Sequence, residues 1–306
     1  MRKKRASTFA LRLFSFCAVI LSSKMEFAPK RQGRIKHRMS YRRISGAVIA
    51  ILVYVSSCFA QSEAAAPARD EKAEQIVQKA IQAIGGDAYL NVKTVIGRGF
   101  YTQYHDGVSG VPLRFVDYIA YPDRERTEFT GEGNRIIQTN YQNEGWLFDA
   151  AAKSLKDQTA KQVEEFRTGM RTSMENLLRG WWRKEGATLS YVGRREATLG
   201  RRNEAVKLTY PDGFWIEYEF AAIEGTPAKA IYKRKQKNPD TDEMFETTEE
   251  DRFFKPIAVS GVSAPFVIDH FRNGVQTSRI NYDSIEFNKP LADALFAKPA
   301  NIKAIK

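Results

Sequence analysis

The spacing of hydrophobic residues changes between a helical and an extended pattern along this chain. A helical stripe begins after Asp70, a residue type that caps helices, and it ends at Gly85-Gly86. Its apolar members recur at intervals of three or four residues, and they are Ala73, Ile76, Val77, Ala80, Ile81 and Ile84. The pattern therefore predicts one amphipathic helix at the start of residues 70–306.

Alternation with a period of two replaces the stripe from Val92 onwards. Turn sequences such as His105-Asp106-Gly107 and Tyr210-Pro211-Asp212-Gly213 interrupt it at short intervals, which is typical of an antiparallel meander. The predicted strands are 95–104, 113–121, 124–130, 135–141, 146–148, 187–192, 204–210, 214–221, 228–236, 244–254, 266–272 and 279–287. We predict a mainly β (α+β) fold with a single extended antiparallel sheet.

A second helical stripe interrupts the sheet over residues 158–183. Its apolar positions are Val163, Phe166, Met170, Met174, Leu177 and Trp181, widened by Leu178 and Trp182. Its polar positions are Lys161, Glu164, Glu165, Arg167, Arg171 and Glu175. Such a stripe packs on the sheet, and a sheet that curves around it can enclose an apolar cavity.

Charge and cysteine separate the first 60 residues from the rest. Of the 48 Lys and Arg residues, 13 lie in residues 1–60 together with one acid, Glu26, and the remainder of the chain carries 35 basic and 35 acidic residues. This neutral remainder lacks the clustered basic face of a nucleic-acid-binding protein. Both cysteines, Cys17 and Cys58, also lie in the first 60 residues, so no thiol chemistry is expected beyond them.

The first 60 residues have the pattern of an export signal. Arg42-Arg43 precedes an apolar run over 44–55, and small residues end it at Ala60. We predict a cleaved leader over 1–60, a linker over 61–69 and one domain over 70–306 in the periplasm. A signal peptide beginning at Met39 would be complete by itself, and our hypothesis is that translation starts at Met39 or Met25. In an alternative, Cys58 ends a lipobox-like sequence and anchors an outer-membrane lipoprotein.

The residues from 61 onwards contain no recognisable catalytic motif. Nucleophile-elbow, zinc-protease, P-loop and dinucleotide signatures do not occur. His105 and His270 lack further histidine or cysteine at ligand spacing. Residues 239–243 match an acidic hairpin tip better than a calcium loop. Glu217 and Glu219 share a strand face that alternation predicts to be solvated, so we expect neither an enzyme nor a cofactor nor a metal.

Five segments resemble a known family. They are Ala80–Gly86, Val262–Phe266, Asp269–Gly274, Ile285–Pro290 and Leu295–Pro299. In order and sequence they are similar to exported proteins of the LolA/LolB-like lipoprotein-carrier superfamily, and in particular to its lipoprotein-sorting-like members. The resemblance implies an incomplete β-barrel whose curved sheet holds helices on its concave side, around a hydrophobic cavity for acyl chains. It also implies that the helix over 158–183 is a lid or plug.

The leading hypothesis is a monomeric, non-enzymatic periplasmic carrier of a lipid or lipoprotein acyl chain. The candidate lining residues are Phe166, Met170, Met174, Leu177, Trp181, Phe214, Ile216, Tyr218 and Phe220. A second hypothesis is a cell-envelope module that binds a protein partner and has no ligand cavity. A third is a hydrolase that uses His105 or His270.

Overall fold

The predicted meander forms one antiparallel sheet. A computed structural model describes residues 70–305 except 132, 199 and 238–240, and this part of the chain contains fourteen strands. They are β1 Thr94–His105, β2 Val108–Ser109, β3 Leu113–Ala120, β4 Arg124–Gly131, β5 Asn134–Tyr141, β6 Glu144–Asp149, β7 Ser154–Asp157, β8 Thr188–Glu196, β9 Arg202–Thr209, β10 Trp215–Ala221, β11 Pro227–Lys237, β12 Met244–Val259, β13 Val262–Arg272 and β14 Val275–Phe287.

The order of the strands leaves the sheet open. It runs β7-β6-β5-β4-β3-β1-β14-β13-β12-β11-β10-β9-β8, and β2 pairs with β1 beside this path. Every step except the one between β1 and β14 joins neighbours that a short chain connection links, as expected of a meander. Among the described residues β7 and β8 are the two edges, so the predicted mainly β fold with a curved sheet that forms an incomplete barrel is confirmed.

The α-helices of the described residues are α1 Glu71–Ala83, α2 Asp87–Leu90, α3 Ala160–Thr172 and α4 Met174–Leu178, and short 3-10 helices lie at Trp181–Glu185, Asp293–Leu295 and Ile302–Ala304. The Asp70 side chain accepts a hydrogen bond from the Ala73 amide and caps α1, as the sequence predicts. The expectation of one continuous helix over 158–183 is wrong. Ser173 has extended backbone, ends α3, and caps α4 by accepting the Asn176 amide. Its carbonyl accepts the Tyr218 hydroxyl of β10, which holds the break against the sheet.

Two apolar clusters lie between the helices and the sheet. The larger one joins α1, α2 and α4 to β9, β10 and β11, and its inward side chains on β10 are Ile216, Tyr218 and Phe220, each at most 1 % exposed. The smaller one joins Phe166 of α3 to residues on β1, β3, β4, β13 and β14, which are Tyr101, Phe115, Phe129, Ile268 and Ile280. The bend at Ser173 therefore lets one helical segment cover two parts of the sheet.

The prediction that the opposite face of β10 is solvated is wrong at Glu219. Glu219 is buried, accepts a hydrogen bond from Asn203 on β9 at 2.8 Å, and lies 3.5 Å from the Lys229 ammonium on β11. Glu165 of the expected polar helix face is buried in the same way, paired with Arg234 at 2.8 Å. Both carboxylates can be buried because each has a polar or cationic partner on another element.

The C-terminal segment covers the outer face of β4–β6. Phe296 is 2 % exposed, and its carbonyl accepts the Trp146 indole N–H at 2.9 Å. Arg126 donates to the Leu295 carbonyl at 2.9 Å from the same face. Both faces of this part of the sheet are thus covered.

Candidate ligand-binding cavity

A cavity of about 140 Å³ lies between the helices and the strands near the tip of the β12–β13 hairpin. Its wall is mainly apolar and includes Ile84, Tyr89, Val92, Val95, Ile119, Tyr121, Met174, Leu178, Phe253, Phe254, Pro256, Val262, Ile268, Tyr282, Ile285 and Phe287. Glu175 and Arg179 supply its charged groups. A mainly apolar wall with a few polar groups is typical of a small-molecule site.

The cavity exists because the β12–β13 hairpin separates from its neighbours. β13 pairs with β14 only between Val267 and Arg272, although it continues to pair with β12 as far back as Val262. Pro256 and Pro265 face each other across the hairpin, and neither has an N–H to donate to a further strand. The two prolines therefore end the wider sheet and leave room beneath the hairpin.

The hairpin tip is instead held by the α1–α2 connection. The Ser263 amide donates to the Ile84 carbonyl at 2.9 Å. Gly85 has a φ of +125°, and a Cβ atom there would lie 2.4 Å from the Gly261 carbonyl oxygen. Only glycine fits this contact. The connection closes one side of the cavity.

Glu175 is the acidic group of the wall. It follows Met174 in the first turn of α4, and burial is the main cause that raises the pKa of its carboxyl group above the usual value. Arg179 opposes this rise but does not cancel it.

Arg179 is held by backbone oxygens and aromatic rings. Its guanidinium donates to the carbonyls of Tyr89, Leu90 and Val92 at 3.0–3.3 Å. It also lies 4.6 Å from the ring centre of Tyr89 and 4.4 Å from that of Tyr121. Arg179 thereby ties the end of α4 to the segment between α2 and β1.

A buried pair of acids lies next to the cavity on the inner face of β3 and β4. Asp117 and Glu125 are each 1 % exposed and lie close enough to interact, and the Thr127 hydroxyl donates to Asp117 at 2.8 Å. Burial raises the pKa of Asp117 to about 7. Burial is the main cause that raises the pKa of the Tyr282 hydroxyl in the cavity wall, and the nearby charges of Asp117 and Glu125 raise it further.

The structure brings one of the nine predicted lining residues, Met174, to the cavity wall. Leu177, Ile216, Tyr218 and Phe220 are buried in the larger apolar cluster, and Phe214 packs against it. Phe166 is in the smaller cluster, with Met170 and Trp181 packed against it. Their contact with a ligand stays a prediction. The sequence analysis did not find Glu175, Arg179 or the hairpin, although the Pro256 and Pro265 spacing around Ser260-Gly261 was a visible signal of a separated hairpin.

The histidines do not form a site with the cavity. His105 is exposed at the end of β1. His270 is buried, and its Nδ1 lies 2.5 Å from the Asp251 carboxylate on β12. The sequence analysis missed this partner because 19 residues separate the two. In the part of the chain that the structure describes, no three His, Cys, Asp or Glu side chains are arranged to hold a metal ion.

The predicted leader, the linker and Cys58 lie outside the described residues. Within those residues, no helix combines the length and hydrophobicity needed to cross a membrane.

Comparison with known proteins gives distant structural similarity alone. No protein-family model and no curated protein matches the chain. Three solved structures are similar to this chain, and each match covers 74 % of this chain and 97 % of the other protein's chain. They are a DUF1329 family protein from Desulfovibrio piger (10 % identity, TM-score 0.49), a putative outer membrane lipoprotein-sorting protein domain from Vibrio parahaemolyticus (12 %, 0.49) and the LolA superfamily protein NE2245 from Nitrosomonas europaea (12 %, 0.46). LolA superfamily and lipoprotein-sorting structures are thus among the matches, as the sequence resemblance predicts, and at these scores they carry no argument about function.

Proposed function

We propose that this chain is an exported, non-enzymatic binding protein that holds part of an acyl chain of a lipid or lipoprotein in the cavity. The observation that carries the proposal is the cavity wall, which is apolar on the helix side at Met174 and Leu178 and on the strand side at Val95 and Ile285. Burying apolar surface needs no reactive group.

The size of the cavity limits how much of the chain is buried. A cavity of about 150 Å³ holds one benzene molecule, so this one takes a segment of about six carbons. At about 0.8 kcal/mol per buried CH₂, such a segment contributes about 5 kcal/mol. The rest of the chain then leaves at the β12–β13 hairpin, where the wall residue Phe254 is 44 % exposed.

The test places a charge on the wall. Met174 is 6 % exposed and begins α4, where an acidic residue is compatible with the helix dipole, so Met174→Asp should abolish lipid binding in a protein that still folds. The protein is purified from a bacterial periplasm, and bound lipid is measured by native mass spectrometry and organic extraction. Unchanged lipid content in folded Met174→Asp would place the lipid elsewhere.

Two further variants are matched controls. Met174→Leu keeps an apolar side chain of similar volume and should retain binding. Met244→Asp adds the same charge at a methionine that is 62 % exposed, and it should bind as the wild type does.

The second candidate function is an envelope module that binds a protein partner through the β12–β13 hairpin. The observation in its favour is that the cavity is smaller than the roughly 300–1,000 Å³ usual for ligand pockets. A wild-type protein that carries no lipid and takes up no fluorescent fatty acid would favour this candidate.

A further inference from the structure

Two polar atoms of the cavity wall residues are buried and have no hydrogen-bond partner among the described residues. They are the hydroxyl oxygen of Tyr89 and the Nε atom of Arg179. Tyr89 lies on α2 and is 7 % exposed. A buried donor without an acceptor costs free energy, and such groups are rare in folded proteins. Each of these atoms is therefore available to a polar atom of a ligand.

The two atoms lie at the same polar end of the cavity. Burial is the main cause that raises the pKa of the Tyr89 hydroxyl, the charge of Glu175 raises it further, and Arg179 opposes the rise. The Arg179 guanidinium also lies 4.6 Å from the centre of the Tyr89 ring. The Nε–H group can only donate, and the hydroxyl can donate as well. One ligand oxygen placed beside both groups would accept a hydrogen bond from each.

The charge of Arg179 favours an anionic oxygen. The other N–H groups of its side chain donate to the carbonyls of Tyr89, Leu90 and Val92, which fix its position but are neutral. Burial raises the pKa of the neighbouring Glu175 carboxyl, and this favours the neutral form of that acid beside a bound anion. A carboxylate accepts charge-assisted hydrogen bonds, which are roughly twice as strong as neutral ones.

The rest of the wall suits a short stretch of hydrocarbon. Met174 and Leu178 of α4 line the cavity on one side, and Val95 and Ile285 line it on the other. A volume of about 140 Å³ takes about six carbon-sized atoms, which is too little for a glycerol group with two acyl chains. The size therefore favours a ligand with one chain and a small polar end.

We propose that the cavity binds fatty acids by their carboxylate end, and that the Tyr89 hydroxyl and the Arg179 Nε–H donate hydrogen bonds to the carboxylate. The proposal rests on the function proposed above and specifies the ligand class of the same site and the direction of its chain. The methyl end of the chain then lies towards the β12–β13 hairpin, where Phe254 is 44 % exposed.

The test compares three probes with the same apolar chain: decanoate, decanol and decyltrimethylammonium. Bound lipid is first removed from the purified protein on a hydrophobic resin. Each probe is then titrated below the concentration at which it self-associates, with affinity measured by calorimetry. We expect decanoate to bind roughly tenfold more tightly than either other probe, because it alone accepts charge-assisted hydrogen bonds.

Tyr89→Phe isolates the hydroxyl. The variant keeps the ring that packs against Arg179 and removes only the oxygen, so it should lower the affinity for decanoate by roughly fivefold to tenfold. The affinity for decyltrimethylammonium, which has no acceptor atom, should not change. The urea midpoint of the ligand-free protein should stay the same or rise, because the variant removes a buried group that has no partner.

Tyr210→Phe is the matched control. Tyr210 is buried outside the cavity wall, and its hydroxyl accepts from Asn176 at 2.7 Å and donates to the Arg171 carbonyl at 3.3 Å. Removal of this hydroxyl should lower the urea midpoint and leave the affinity for decanoate unchanged. The two substitutions are thus expected to have opposite effects on stability and on binding.

Arg179→Lys tests the second donor. Lysine keeps the positive charge and lacks both Nε–H and the planar guanidinium, so decanoate should again bind roughly tenfold more weakly. Adding Tyr89→Phe to this variant should cost less affinity than Tyr89→Phe does alone, because the two donors share one carboxylate.

The outcomes separate this proposal from the proposed function. Equal affinity for all three probes, or an unchanged decanoate affinity in folded Tyr89→Phe, would overturn carboxylate recognition and leave chain binding intact. An equal loss of affinity for decanoate and decyltrimethylammonium in Tyr89→Phe would also overturn it. Failure of all three probes to bind would contradict the proposed function itself.

Discussion

Two regions of the inner sheet face differ in how they are filled. On β9–β11, which we call the apolar region, six inward side chains are at most 1 % exposed, and they are Val206, Leu208, Ile216, Tyr218, Phe220 and Ala230. On β3 and β4, the polar region, Asp117, Glu125 and Thr127 occupy inward positions just as deeply, next to the cross-strand pair Phe115 and Phe129. Burying carboxyl groups beside each other costs stability. The apolar region therefore stabilises the fold, while the polar region, which borders the cavity, bears the marks of a functional site.

The largest effect is expected from truncation in the apolar region. Ile216 is fully buried between α4 and β9–β11, so Ile216→Ala should lower the free energy of unfolding by about 2–5 kcal/mol. Ile285→Ala, in the cavity wall, should cost less because part of its surroundings is already empty. Urea unfolding of both variants measures the difference. Equal losses would show that the cavity region is packed as tightly as the apolar region.

A pH-dependent effect is expected from the polar region. Burial raises the pKa of Asp117 from 3.8 to about 7 in the folded protein. Its contribution to stability is therefore fully present below pH 3.8 and is lost as the pH rises towards and through 7. The shift of about three pH units corresponds to at most about 4 kcal/mol. Asp117→Asn should remove this dependence and be more stable than the wild type at pH 8, as measured by urea unfolding across pH.

An exposed aspartate is the control for this effect. Asp106 lies in the β1–β2 turn with a positive φ of 51°, a conformation that asparagine tolerates. Asp106→Asn should leave the pH profile of unfolding unchanged. If Asp117→Asn kept the wild-type profile, the acid pair would be ionised and compensated in another way.

The same contrast explains which features could be predicted from the sequence. In the apolar region Phe220 and its neighbours alternate with charged residues, so the strand and its inward face follow from a period of two. In the polar region the alternation of apolar and polar residues does not show that an acid such as Asp117 points inward, because a polar residue in this pattern is taken to face water. Glu165 and Glu219 were predicted to face the solvent for the same reason. Their partners, Arg234 and Lys229, both lie on β11, and the pattern of a single helix or strand does not reveal a partner on another element.

The candidate site was predicted only in part for a related physical reason. Met174 belongs to a helical stripe, which a single segment reveals. The cavity, in contrast, arises where β13 leaves β14 and where Arg179 reaches Tyr89, and these contacts join residues that are distant in sequence. The break at Ser173 was missed because a serine interrupts a helical pattern only when its surroundings, here Tyr218, hold the extended backbone.

The smallest effect is expected at the start of α3, which packs over the polar region through Phe166. Thr159 and Gln162 form a reciprocal capping box, so Thr159→Ala should cost about 1 kcal/mol. Thr168→Ala is the control: its hydroxyl donates only to the Glu164 carbonyl within the helix, and alanine has the higher helix propensity, so stability should not fall. Hydrogen exchange of α3 amides gives the location of the loss. Faster exchange confined to α3, with β10 unchanged, would mean that this helix opens separately from the apolar region; exchange that rises equally in both would mean that the two regions unfold as one unit.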